Sequence, residues 1–265
     1  MYEELHAPIP DLDAYLSRIG LTRADVTHDE AGLTRLVRAH VGHIPFDDMD
    51  VWGPGICPSL AVEDLYNKVI VRKRGGYCFE LNSLFRTFLR DLGFDVYCVM
   101  IHSVRGRDFL APALHCAVIV KLDGKKYFTD VGYGGPAPYG AVAFDGEVHH
   151  GFFIREEQGY MLLCDVQSGE TVPAMLFRDV AAQPVDFITP NFYVSQDRPS
   201  IFRNRLMLNL RNDEGIFITN DNEFKIARPD GSHELRTLQS MEELKDILTA
   251  YYGINPAEAT LREAF

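Results

Sequence analysis

At about residue 94 the hydrophobic period of this chain changes, and that change decides its fold class. Before it, apolar residues recur at helical spacing. Leu12, Tyr15, Leu16 and Ile19 follow a capping Asp11 and end at Gly20; Leu33, Leu36, Val37, His40 and Val41 mark a second helix; Leu65, Val69 and Ile70 mark a third. Leu81, Leu84, Phe85, Phe88, Leu89 and Leu92 mark a fourth, closed by Gly93. After it come short β-rich runs between turns: Val96 to Val104, Leu114 to Leu122, Lys125 to Val131, Phe152 to Arg155 and Tyr160 to Val166. Beyond residue 200, turns are expected at Asn212-Asp213-Glu214-Gly215 and Pro229-Asp230-Gly231. A capping box, Ser240-x-x-Glu243, announces a last helix with Leu244, Ile247, Leu248 and Tyr251 on one face and Gly253 at its end. The expectation is an α+β chain: a helical bundle over 1–93, an antiparallel sheet or small barrel over 94–200, and an α/β region over 201–265. No repeat or low-complexity tract interrupts it.

The fourth helix opens on the run Arg74-Gly75-Gly76-Tyr77-Cys78-Phe79-Glu80-Leu81-Asn82. A cysteine after a glycine turn, in the first turn of a helix, meets unpaired N–H groups and the positive end of the helix dipole. Both favour a thiolate. Arg72, Lys73 and Arg74 add positive charge upstream. A buried structural thiol fits Cys78 alone equally well, since free cysteine is among the most buried residue types.

A second pair of residues alters that balance. Asp123-Gly124 is a two-residue hairpin signal between two apolar runs, and as the central turn residues they pair Leu122 with Lys125. Asp130 then falls opposite Ala117, and His115, two residues along on the same face, becomes its diagonal neighbour. A one-residue slip would separate the two side chains. Cys78, His115 and Asp130 thereby supply a nucleophile, a base and a group to orient the base. A satisfied core histidine and a strand-end aspartate explain each residue singly, but not the combination.

These residues resemble the arylamine N-acetyltransferase family. The resemblance rests on Ile44-Pro45-Phe46-Asp47, the Arg74–Asn82 run, His115 opening an apolar strand, Asp130-Val131-Gly132-Tyr133-Gly134, and Asn191-Phe192-Tyr193 with Ser195, Ser200 and Phe202. It covers about residues 40 to 205. It implies a central β-barrel, a C-terminal α/β lid, a cysteine-protease-like Cys-His-Asp core, and ping-pong transfer of acetyl from acetyl-CoA through Cys78 to an arylamine, hydrazine or arylhydroxylamine. It implies Phe46 and Tyr133 in the acceptor pocket, Asp47 supporting Arg74, and Gly134, Ser195 and Ser200 toward the coenzyme. Read from the residues alone, the glycines at 132, 134 and 135 form either a phosphate cradle or a turn. The chain departs from the family in four places: Asp47 stands for the usual glutamate, Leu114 for a frequent threonine, Tyr133 for the usual phenylalanine, and Ser195-Gln196-Asp197-Arg198-Pro199-Ser200 carries a displaced proline and an extra charge pair. Three other readings share the residues: an amide synthase fed by a carrier-bound acyl group, a Cys-His-Asp hydrolase, and a non-catalytic scaffold.

Composition narrows the partners. With 38 acidic against 26 basic residues, net charge is −12, which argues against nucleic acid or an anionic membrane. A polyanionic coenzyme is still compatible, because a local nest of N–H groups and a few cations suffices. The expected partners are a coenzyme A thioester and a small aromatic amine, with no permanent cofactor, no metal, and a monomer or small homo-oligomer. The acidic start Met1-Tyr2-Glu3-Glu4 and the lack of a long apolar run make the cytoplasm the expected compartment. Five cysteines, Cys57, Cys78, Cys98, Cys116 and Cys164, are odd in number and widely spaced, so neither a disulfide framework nor a zinc site is expected. Cys98 and Cys116 read as core, and His149-His150 reads as loop rather than as a metal pair.

Overall fold

The computed structural model describes residues 2–166 and 169–265; Met1, Gln167 and Ser168 lie outside the described residues. Asp11 starts the first helix as the sequence suggests: its carboxylate accepts from the N–H groups of Asp13 and Ala14. The helices α1 (Leu12–Arg18), α2 (Glu30–His43), α3 (Met49–Trp52) and α4 (Val62–Tyr66) follow, with a two-residue strand β1 (Phe46–Asp47) between α2 and α3. A π turn, Asn67–Val71, leads from α4 to the glycine turn and into α5 (Cys78–Asp91). Leu81, Leu84, Phe85, Phe88 and Leu89 of α5 are all fully buried. At about 1.5–3 kcal/mol per buried side chain against ~1 for a cap, packing rather than capping holds this helix.

The strands β2 (Asp95–Ser103), β3 (Ala113–Leu122), β4 (Lys125–Thr129), β5 (Val142–Ala143), β6 (Phe152–Glu157), β7 (Tyr160–Asp165) and β8 (Val172–Phe177) form one antiparallel sheet in the order β5-β4-β3-β2-β8-β7-β6. Its two edges, β5 and β6, lie against each other, so the sheet curls into a nearly closed barrel. Val99, Ile101, Ala117, Ile119, Phe128 and Phe177 fill the inside, while Cys98, Cys116, Val118 and Val120 face the helical core around α5. Burial on both faces explains why β3 reads as an unbroken apolar run rather than an alternating one. Asp123 and Gly124, at φ 48° and 76°, make the hairpin turn, and Leu122 pairs with Lys125.

Two helices, α6 (Ile188–Gln196) and α7 (Ile201–Asn204), come before the second sheet. That sheet joins β9 (Met207–Asn212), β10 (Gly215–Asn220), β11 (Glu223–Ala227) and β12 (His233–Thr237) to β1, in the order β1-β9-β10-β11-β12. One face, with Leu208, Leu210, Phe217 and Phe224, packs on Leu244, Ile247 and Leu248 of α8 (Met241–Tyr252). Asn209 and Arg211 of β9 and Ile216 and Ile218 of β10 lie on the other face, by strand alternation. Gly253 ends α8 at φ 63°.

Several expectations change. The strand expected to reach Val131 stops at Thr129, and the Ala117–Asp130 pair does not form. Asn82 of α5 instead takes the backbone groups of the pair that would come next, Cys116 and Val131: its amide donates to Cys116 O, and its carbonyl accepts from Val131 N–H. The strand β8, absent from the sequence reading, lies inside the sheet between β2 and β7. Pro173 hides it, and the ladder tolerates that proline at a register shift opposite Cys164. Strand β1, from the helical region, forms an edge of the C-terminal sheet, so that sheet is built from both ends of the chain. No helix among the described residues is long and apolar enough to cross a membrane.

Candidate functional site

Tyr77 is extended (φ −99°, ψ −172°) and caps α5, which gives Cys78 the first helical position. The N–H groups of Cys78 and Phe79 therefore have no intrahelical acceptor, and the positive end of the helix dipole lies at the thiol. The side chain is buried, and its Sγ reaches the Leu114 carbonyl only at 3.9 Å, a weak contact. The next residue on β3 is His115.

His115 Nε2 lies 2.6 Å from Asp130 Oδ2, which leaves Nδ1 as the ring nitrogen for the thiol. Burial alone would pull the imidazole pKa down. The Asp130 carboxylate, and after it the hydrogen bond and charge of Cys78, outweigh burial and hold it well above the usual histidine value. The arrangement favours an imidazolium at His115, next to the Cys78 thiol. The other Asp130 oxygen, Oδ1, accepts from Asn82 Nδ2 and from the Gly132 N–H, both at 2.9 Å. Three donors on a carboxylate that is 1% exposed fix its plane and thereby the plane of the imidazole. Gly132 has to be glycine here: a Cβ would sit 2.9 Å from both Asn82 Nδ2 and Cys78 Cα.

Asn82 has no assigned role in the sequence reading. Its signal is spacing, since it follows Cys78 by four residues on one helix face. A single helix thus carries both the nucleophile candidate and the amide that grips the carboxylate. Cys116, adjacent to His115, turns away; its thiol contacts Cys78 O, and burial pushes its pKa well up.

A second ionic cluster lies on the other side of the cysteine turn. Arg74 donates to both oxygens of Asp47 (3.1 and 3.3 Å), to Asp50 (3.0 Å) and to the Glu258 carbonyl (2.6 Å). Asp47, although shorter than the glutamate of the family pattern, also accepts from the Gly75 and Met49 N–H groups. Lys68 bridges Asp50 and Glu80, each at 2.7 Å, and Glu80 accepts from the Tyr77 N–H. The turn ahead of Cys78 is thus pinned at Arg74, Gly75 and Tyr77.

Phe46, Tyr133 and Gly134 line a cleft of about 350 Å³ that runs along Asp130 and Val131. That volume lies within the ~300–1,000 Å³ range of small-molecule sites. The Tyr133 ring stands edge-on to His115 (5.1 Å, 63°), and its hydroxyl bonds Ser103 Oγ at 3.1 Å. Ser195 and Ser200 are elsewhere. Their hydroxyls donate to Phe192 O and Val194 O, within and between α6 and α7, and neither residue lines the cleft.

The family described as N-acetyltransferase matches residues 30–260. An arylamine N-acetyltransferase / N-hydroxyarylamine O-acetyltransferase from Salmonella typhimurium is 28% identical, over 92% of this chain and 88% of its own length. The arylamine N-acetyltransferase of Mycolicibacterium smegmatis is 28% identical, over 96% and 95%. Among solved structures, Mycobacterium marinum arylamine N-acetyltransferase in complex with CoA superposes with a TM-score of 0.84 at 26% identity, covering 94% of each chain.

Proposed function

Because this chain belongs to the arylamine N-acetyltransferase family, we propose that it is an acetyl-CoA-dependent arylamine N-acetyltransferase working through an acetyl-cysteine at Cys78. The observation that carries this reading is the buried 2.6 Å contact of His115 with Asp130, beside a thiol at a helix N-terminus.

Cys78, as thiolate, attacks the thioester carbonyl. The Cys78 and Phe79 N–H groups face the developing oxyanion, the new S–C bond forms as the bond to the coenzyme sulfur breaks, and the imidazolium of His115 protonates the departing thiolate. The amine then attacks the acetyl-cysteine. His115 accepts its proton, the N–C bond forms, and the Cys78 thiolate leaves. Asp130 holds the imidazole plane and stabilises its charge through both half-reactions. Phe46 and Tyr133 offer faces and edges to a planar amine, each such contact contributing about 0.5–1.5 kcal/mol beyond burial.

On this reading, residues 1–93 supply the nucleophile and 94–200 the base and its carboxylate. Residues 201–265 form an α/β lid whose sheet walls the cleft. Acetyl-CoA and a small aromatic amine are the partners, and five unpaired thiols suit a reducing cytoplasm. Intact-protein mass spectrometry tests it. Wild-type protein mixed with acetyl-CoA should gain one acetyl unit and lose it to an added arylamine, and Cys78→Ala should gain none. Release of acetate to water without any amine would move the assignment to a hydrolase. Alkylation-reactive Cys78 with no acetyl adduct would point to another acyl donor, as in an amide synthase.

A further inference from the structure

The sheet edges of this fold are occupied, with one exception. The barrel brings its own edges, β5 and β6, together, and β1 meets the glycine turn, where the Asp47 N–H donates to the Gly76 carbonyl at 2.9 Å. At the opposite end of the C-terminal sheet, no strand pairs beyond β12 among the described residues. All five of its residues, His233-Glu234-Leu235-Arg236-Thr237, are exposed, Leu235 by 67%. Such an edge is a template for another strand.

The main chain fixes which residues can pair there. On either side of β12, the Leu238 N–H donates to Asn222 O (2.7 Å) and the Arg228 N–H to Ser232 O (2.9 Å), in one register with Phe224 opposite Arg236 and Ile226 opposite Glu234. Along an antiparallel pair, residues that exchange bonds with the neighbour alternate with residues that do not. Glu234 and Arg236 therefore turn their N–H and C=O groups inward to β11. His233, Leu235 and Thr237 turn theirs outward, and an antiparallel newcomer has to bond through them.

Charge then selects one register for a second β12. With Leu235 opposite Leu235 of the second copy, His233 falls opposite Thr237, and Glu234 opposite Arg236 in the closer, non-hydrogen-bonded pairs, twice by symmetry. Sliding one copy by two residues, the smallest slip that keeps outward groups facing, sets Glu234 against Glu234 or Arg236 against Arg236, and like charges directly opposite repel. Glu234 is held at the edge by Arg228 at 3.0 Å, while Arg236 has no carboxylate at ion-pair distance among the described residues. Charged side chains commonly keep an edge strand single. These two have opposite signs and flank Leu235 evenly, so they attract their own copy.

We propose that β12 is a self-association surface, on which a second copy of this chain adds antiparallel about Leu235 and joins the two five-stranded sheets into one. The surface is independent of the chemistry at Cys78. Leu235 is in line with Lys225 and Ile218, so β11 separates it from the cleft-lining residues of β10, and both clefts stay open on one side of the joined sheet. Five residues per copy is small against the about 20–30 a side of a standard interface, and each copy carries a net charge of −12, so the dimer is reversible and concentration-dependent.

Sedimentation velocity of the full chain, from micromolar to millimolar concentration, tests this. Wild type should pass from monomer to dimer. Arg236→Glu should raise the dissociation constant about 10- to 100-fold, because both cross-strand attractions become repulsions, and Glu234→Arg should do the same. Mixing these two variants in equal amounts should restore the dimer, since one strand then presents two anions to two cations. Leu235→Pro should abolish it, because the lost N–H points outward and the ladder to β11 keeps its bonds. If the proline variant fails to fold, the exposed charge variants decide alone. A wild type that stays monomeric throughout, a dimer that neither charge variant weakens, or a mixture that stays monomeric would overturn the proposal.

Discussion

Two buried ionic clusters flank the cysteine turn, and they are organised for opposite purposes. In the Arg74 cluster, opposite charges and backbone groups meet at 2.6–3.3 Å: Asp47 with Arg74 and two N–H groups, Asp50 with Arg74 and Lys68, Glu80 with Lys68 and the Tyr77 N–H. In the Asp130 cluster the carboxylate is equally saturated, but the chain of contacts ends at a thiol whose carbonyl neighbour is 3.9 Å away. Saturation makes the first cluster a clamp. The loose end makes the second a place where a proton can move.

The sharpest way to break this contrast is at the loose end. Cys78→Ala should abolish acetyl transfer in a steady-state assay while thermal unfolding stays close to wild type, because one small buried thiol is removed. Next, Asp130→Asn should reduce kcat by about 10⁴-fold with the folded circular-dichroism spectrum retained, since the imidazole loses its partner for charge and tautomer. A mutant within tenfold of wild type would mean that the carboxylate is only structural.

Arg74→Met probes the clamp. Stripping the cation from two buried carboxylates should cost about 3–5 kcal/mol in urea unfolding. Activity of whatever fraction remains folded should change far less than in Asp130→Asn, and the reverse pattern would erase the distinction between the clusters. Asn82→Ala lies between the two: losing one charged hydrogen bond to the Asp130 carboxylate should lower kcat about 10- to 100-fold in the same steady-state assay.

His40 is the smallest test and the control for both. It is fully buried against Tyr15 and Phe85, with neither ring nitrogen partnered among the described residues, and burial, then Arg18 and His43, lowers its pKa to about 3. A depressed folded pKa means full stability above the unfolded value of roughly 6.5, lost as pH falls toward 3 at no more than about 1.4 kcal/mol per pH unit. Denaturation midpoints for His40→Phe should fall less steeply over that window. An unchanged slope would place the acid sensitivity in the carboxylate clusters instead.

Sequence pattern reveals most where structure is local. The α5 helix, the Asp123-Gly124 turn and the closeness of His115 to Asp130 follow from short-range periods and turn chemistry. The detailed Ala117–Asp130 pairing does not, because Asn82 intrudes from a helix more than thirty residues away in sequence. Pro173 masks β8, whose neighbours β2 and β7 supply the context that lets it stand in a sheet. The α6 helix is hidden for another reason: Phe192 and Tyr193 point outward, so no apolar stripe marks it. The C-terminal wall of the cleft carries no local signal at all, since the cleft exists only where β9 meets β1 and the loop after Asp130.

That meeting places a clock on the protein. Phe46 pairs with Asn209, and Asp47 with Leu208, so the wall of the cleft closes contacts spanning more than 160 residues. A chain leaving the ribosome has Cys78, His115 and Asp130 once residue 130 has emerged, but Ile218 follows roughly 5–20 s later at ordinary rates of synthesis. For that interval the residues proposed as nucleophile and base have been made while the wall of the cleft has not, and pairing across so many residues forms slowly compared with local contacts. On the proposed function, the wall that would select among amines is therefore completed after the groups that would react with them.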